Sequence, residues 1–159
     1  KLDIKHTKTS EIQTLKLIIQ HNKWELKFTE SDTKPLKIEI NFKKLVDYKL
    51  VIGQEEILDK IMKFFGAKEI EISNKEFDNK YFIKSNNESI TLKILTPEVA
   101  DKILNCNIYS LSYTSDSNES SSNLVAVIHR NVDTENAFTA IINLFIGIVD
   151  NLRANRVIE

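Results

Sequence analysis

Two short stretches restrict the fold more than any other part of the chain. In Lys23–Phe28 the apolar residues Trp24, Leu26 and Phe28 alternate with Lys23, Glu25 and Lys27, and in Leu36–Phe42 the residues Leu36, Ile38, Ile40 and Phe42 alternate with Lys37, Glu39 and Asn41. Successive side chains of a strand point to opposite faces, so each stretch is predicted to be a strand with one apolar and one wet face. Thr14–Gln20 adds another, with Leu15, Leu17 and Ile19 together, and His21-Asn22 supplies a tight turn because Asn tolerates positive φ. Ser31–Pro35 makes the next turn and Tyr48–Gly53 a fourth strand. The expectation for 1–53 is an antiparallel meander with one solvated face.

After Gly53 the apolar period lengthens. Ile57, Leu58, Ile61, Met62, Phe64 and Phe65 recur at helical spacing, with Glu55 and Glu56 at the positive end and Gly66 placed to cap the other. Two short strands are expected at Lys68–Ser73 and Lys80–Ser85, joined by the polar connection Asn74–Asn79. Glu88–Ile94 and Pro97–Leu104 read as one broken helix or two short ones, since Pro97 suits a first helical turn behind an N-cap at Thr96. Asn107–Thr114 and Asn123–Arg130 form a strand pair around the serine-rich loop Ser115–Ser122. A last helix over 133–155, capped by Asp133 or Thr134, carries the stripe Ala137, Ile141, Leu144, Ile148 and Leu152, widened by Phe138, Ile142, Phe145 and Val149. So apolar a helix must be covered on more than one side. The predicted class is α+β: a two-layer sandwich, a mostly antiparallel sheet with helices packed on one face and a long C-terminal helix.

A chain of 159 residues can bury one sizeable core, so a single domain over 1–159 is expected, the meander 1–53 followed by helix and strand-pair units over 54–159. Lys plus Arg number 22 against 23 Asp plus Glu, which gives no net field to draw in a polyanion, and nucleic acid is not an expected partner. Cys106 is the single cysteine, which rules out an internal disulfide. The longest apolar run, Ala137–Val149, falls short of the roughly 20 residues of a membrane span and reads as a buried helix. Attachment to a membrane is therefore expected only through a segment outside this chain; a cytoplasmic or membrane-attached soluble domain is the favoured setting.

Reactive chemistry has little to stand on. His6 lies in a frayed start, His21 at a turn and His129 at a strand end, with no spacing that gives two ligands one face, so no metal is expected. Cys106 has no histidine near it in sequence, no G-x-S-x-G elbow occurs, and three glycines leave no phosphate-cradling loop; neither a catalytic set nor a cofactor is expected. Two Asn-x-Ser sequons, at Asn87 and Asn118, are chance-level in a chain this rich in Asn and Ser. Tyr109, Tyr113, His129 and Arg130 are the candidate ligand-binding residues, polar groups that the last strand pair brings toward a cleft between sheet and C-terminal helix.

Phe65–Leu104 resembles a segment of uncharacterised bacterial proteins: a helix ending in Gly, a strand, an FD-x-x-F turn (Phe77-Asp78 here, with Tyr81 in the last place), a strand ending in Lys84-Ser85-Asn86, and a Leu-rich stretch with Leu95-Thr96-Pro97-Glu98-Val99. The resemblance implies a soluble domain that often stands beside membrane-spanning helices, and it brings no catalytic residues. The residues explain the same segment physically: Phe77 plugs the core, Asp78 fixes a turn, and Ser85-Asn86-Asn87 ends a strand and caps a helix. The preferred function is a noncatalytic module that binds another protein or its own copy; the alternative is a small-ligand or enzymatic domain using the sheet–helix cleft.

Overall fold

The computed structural model describes residues 2–9, 12–57, 69–115, 118–129 and 134–159, with the backbone alone at 2–15 and 57. The strands are β1 (Leu2–Thr9), β2 (Ile12–His21), β3 (Trp24–Ser31), β4 (Lys34–Lys43), β5 (Leu50–Gly53), β6 (Phe82–Ser85), β7 (Ser110–Ser115) and β8 (Ser121–Ile128). The helices are α1 (Lys75–Lys80), α2 (Glu88–Ile94), α3 (Pro97–Cys106) and α4 (Glu135–Ala154), with a 3-10 turn at Glu55–Ile57. All strands join one antiparallel sheet in the order β1-β2-β3-β4-β8-β7-β5-β6, and helices cover one of its faces, the α+β sandwich that the alternation predicts.

Local chemistry explains each piece. Asn22 takes φ 53 in the two-residue turn that pairs His21 with Trp24, the conformation for which Asn is suited. Along β3 and β4 the residues Trp24, Leu26, Phe28, Leu36, Ile38, Ile40 and Phe42 are buried, while Lys37 and Asn41 are exposed on the other face. α2, α3 and α4 begin at N-caps Asn87, Thr96 and Thr134, whose side chains accept from the backbone N–H of Ile90, Val99 and Ala137. α3 ends at Asn107 with φ 49, a left-handed cap that returns the chain to β7.

Three expectations change. Tyr48–Gly53 does not extend the meander. The β7–β8 hairpin stands between, with Lys43↔Ser121 to Leu36↔Ile128 joining β8 to β4, and β5 pairs with β7 and β6 instead. Alternation tells which face a strand buries and not its neighbour; β8 pairs with β4 along all eight of its residues, whereas β5 offers four. The second change concerns Lys68–Ser73, where residues 69–73 contribute only an isolated bridge, Glu69↔Lys84, while Asn74–Asn79, expected as a connection, enters helix α1. Asn74 caps α1 at Phe77 N, and Asp78 Oδ1 accepts from Ile72 N at 3.0 Å, which fixes the turn and drives Phe77 into the core. Third, the segment holding His6, expected to fray, is strand β1, registered on β2 from Leu2↔Ile19 to Thr9↔Ile12. The helix expected over Gln54–Gly66 lies outside the described residues beyond Ile57.

The core is continuous between sheet and helices. Ile141, Leu144, Phe145, Ile148, Val149 and Leu152 of α4 are buried together with Ile38, Ile40, Leu124 and Ala126 of the sheet and Val99, Ala100 and Ile103 of α3. Each large apolar side chain buried this way contributes roughly 1.5–3 kcal/mol before entropy. The chain end clasps the sheet: Val157 and Ile158 are buried, Leu45 N donates to Val157 O at 2.8 Å, and Arg153 lies 5.3 Å over the Trp24 ring.

Candidate functional site

The outer side of the helical layer carries a groove where α3 crosses α4. Thr96, Glu98, Val99 and Lys102 line it from α3 and its cap, and Asn143, Ile146, Gly147, Asp150 and Asn151 from α4; its volume is about 400 Å³. On α3 the inward positions Val99, Ala100 and Ile103 fix the helix against the core, which leaves Glu98 and Lys102, one turn apart, on the rim. Their ion pair spans 2.6 Å, and the Lys102 ammonium holds the exposed Glu98 carboxyl below the usual carboxylate range. On α4, Asn143, Gly147 and Asp150 follow at spacings of four and three, on the side away from Leu144 and Ile148. Asn151 Nδ2 donates to Ile94 O at 2.9 Å and ties the end of α2 to α4, setting the groove's width.

Gly147 forms the floor. A Cβ there would meet Lys102 Nζ and Val99 Cγ2 at 3.8 Å each, ordinary contact, so packing against α3 does not require a glycine. A glycine inside a helix costs about 1 kcal/mol against alanine. The chain carries that cost at a position that lines the groove. Among the described residues neither Asn143 nor Asp150 has a side-chain partner, so both polar groups face solvent unsatisfied by the fold.

The residues singled out from the sequence lie elsewhere. Tyr109 and His129 do come together, stacked with ring centroids 3.7 Å apart and planes at 15°. Tyr113 is not with them: it is fully buried, donates from its hydroxyl to Ser122 Oγ at 2.8 Å and packs on Tyr48 and Phe42, and burial pushes its phenol up. Arg130 lies outside the described residues. None of Tyr109, Tyr113 and His129 lines the groove. Cys106 is buried, and among the described residues no three His, Cys, Asp or Glu side chains gather as they would around a metal. The face of α4 turned to the sheet is closed by Ile141, Leu144, Phe145 and Ile148, all buried, and the groove opens on its other side. Sequence reasoning missed the groove, although Asn143 and Gly147 interrupting the apolar run Ala137–Val149 were the signal for it.

No family model matches this chain, and no curated protein matches it either. Among solved structures it is similar to the crystal structure of the mycobacterial trehalose monomycolate transport factor A, TtfA, with a TM-score of 0.58 and 10% identity, over 96% of this chain and 87% of that one. At that identity the likeness shows a shared fold.

By length and composition α4 could cross a membrane. In this fold one of its faces is instead part of the core, and Asn143, Asp150 and Arg153 interrupt the other.

Proposed function

We propose that this chain is a noncatalytic module that binds a protein partner, another chain or a second copy, with its helical layer. The observation that carries the reading is the contrast in how polar groups are used. Three buried tyrosine hydroxyls are consumed by the fold, whereas the α3–α4 groove holds Asn143 and Asp150, which have no side-chain partner among the described residues. A surface that keeps hydrogen-bonding capacity and an open floor is available to a second molecule.

The small-ligand reading draws on the Tyr109–His129 stack. Each ring already covers a face of the other at 3.7 Å, so the stack offers a ligand one face of each at most.

Site-specific photo-crosslinking in the cell of origin tests the proposal. A photoreactive residue at exposed Asn143 is expected to give a discrete protein adduct that the same residue at Lys37, on the solvated face of the sheet, does not give. A folded protein with no adduct at Asn143, or with the same adducts at both positions, would refute it.

A further inference from the structure

We propose that β1 is a self-pairing edge, along which a second copy of this chain lays its own β1 antiparallel and joins the two sheets into one. The inference goes beyond the groove, none of whose residues belongs to β1 or β2. It starts from a difference between the two ends of the sheet. β6 ends one side, and there the chain closes its own edge with the Glu69↔Lys84 bridge and with Ile70 N donating to Ile83 O at 3.0 Å. β1 ends the other side. Its eight residues pair with β2 from Leu2↔Ile19 to Thr9↔Ile12, and among the described residues no segment pairs with its outer side. An antiparallel edge strand presents N–H and C=O groups at every second residue, and an added strand can take them up.

Charge decides which strand that is. Register through β2 and β3 places Ile4 in the row Ile4↔Leu17↔Phe28, on the helix side where Phe28 is buried, and so puts Asp3 and Lys5 on the solvated face. On that face Lys5 stands directly opposite Lys16, a like-charge pair, and Asp3 stands opposite Ile18. Like charges directly opposite each other destabilise a sheet, and opposite charges stabilise it. Neither charge of β1 thus has its complement directly across from it in β2, and a second β1 supplies both. With a two-fold axis through the Ile4 position, perpendicular to the sheet, Asp3 of each copy comes opposite Lys5 of the other, Ile4 opposite Ile4, and Leu2 opposite His6. The same axis keeps the helices of both copies on one side. The next register in one direction sets Lys5 on Lys5, and in the other Asp3 on Asp3. Lysine on an edge strand is a usual guard against stray pairing, and here it admits the one register that the chain's own sequence complements. A ladder over Leu2–His6 is longer than the four pairs that join β5 to β6. It is small for a permanent interface, so a dimer that dissociates on the order of 10 μM is expected.

The test uses the whole chain in sedimentation equilibrium, where a monomer–dimer equilibrium is expected. Asp3→Lys sets lysine against lysine at both cross-copy pairs, and Lys5→Asp sets aspartate against aspartate, so each variant alone is expected to dimerise about tenfold more weakly or worse. Mixed in equal amounts, one copy is positive at both positions and the other negative, and a heterodimer at least as tight as the parent dimer is expected. That recovery also shows that both variants are folded. Disulfide formation reads the register itself. The axis sets the two Ile4 positions about 4.5–5.5 Å apart at Cα, within the span of a disulfide, so mild oxidation of Ile4→Cys is expected to link the copies. The two Lys5 positions lie beyond that span, and Lys5→Cys is expected to stay unlinked, as is the parent, whose single thiol, Cys106, is buried. A strict monomer up to about 1 mM, a dimer that both single variants keep at parental strength, no recovery on mixing, or linking of Lys5→Cys as fast as Ile4→Cys would each overturn the proposal.

Discussion

The two faces of α4 have opposite economies. Toward the sheet, Ile141, Leu144, Phe145, Ile148 and Leu152 are all 2% exposed or less. Toward solvent, Asn143, Gly147 and Asp150 leave about 400 Å³ open beside α3. The same 20 residues therefore do two jobs, with the apolar face holding the sandwich together and the other kept short of side-chain mass. A surface helix under no constraint but stability would carry alanine where this one carries Gly147. The difference separates residues that the fold buries from residues that it leaves exposed beside α3.

The largest effect expected from breaking this division is on the sheet side. Phe145→Ala removes a fully buried ring and should lower the unfolding free energy by about 3–5 kcal/mol, read as a lower urea midpoint. A loss under about 1 kcal/mol would mean that the sheet face of α4 is not the rigid core described.

Next in size is an alkaline transition set by the buried polar groups. Thr91 donates its hydroxyl proton to Asn87 O at 2.8 Å, so at 2.9 Å its oxygen accepts from Tyr48, which makes Tyr48 the donor and requires its phenol to be neutral. Burial is the main cause that pushes the phenols of Tyr48 and Tyr81 up to about 12, from 10.0. A folded-state value above the unfolded one means stabilisation that is complete below pH 10 and lost as the pH rises toward 12. For Tyr48 alone the full loss is about 3 kcal/mol, at 1.36 kcal/mol for each unit of the gap. The urea midpoint should fall steadily across that window and fall less steeply in Tyr48→Phe. A midpoint constant through pH 12 would show that these hydroxyls are not held neutral by the fold.

How much of this could be read in advance follows from the range of each signal. Alternation at Trp24–Phe28 and Leu36–Phe42 and the caps at Asn87 and Thr96 depend on residues within one to four positions and are found where the sequence places them, and of the two residues expected to cap the last helix, Asp133 or Thr134, the cap is Thr134. The place of β5 beside β7 depends on residues some 60 positions away, Leu50 pairing with Tyr113, and no local pattern encodes it. Helix α1 escaped because six residues are too few to show a period; its cause is a pair of side-chain bonds, from Asn74 and Asp78, that a polar segment conceals. Of the candidate site, the meeting of Tyr109 with His129 follows from pairing the last two strands. The inward turn of Tyr113 follows from its sharing a strand face with Leu111, so its hydroxyl became a core bond and not a ligand group. Asn143 and Gly147 mark a break in the apolar face of α4, but that the break becomes a groove depends on α3 lying against α4, which no local pattern encodes.

The smallest effect is also the one that divides the two faces most sharply. In Gly147→Ala the new methyl meets Lys102 Nζ and Val99 Cγ2 at 3.8 Å, where it clashes with nothing, and it removes backbone freedom from the unfolded chain. The variant should be more stable than the parent by about 0.5–1 kcal/mol, a rise in urea midpoint with unchanged slope. A helix position at which the simplest substitution is stabilising is one where stability was not the deciding pressure. The same methyl narrows the groove floor, so the gain in stability should come with weaker capture of the partner at the Asn143 crosslink. If the substitution destabilises instead, Gly147 is there for the packing of α3 on α4, and the open groove is a by-product of that packing rather than a surface kept for a second molecule.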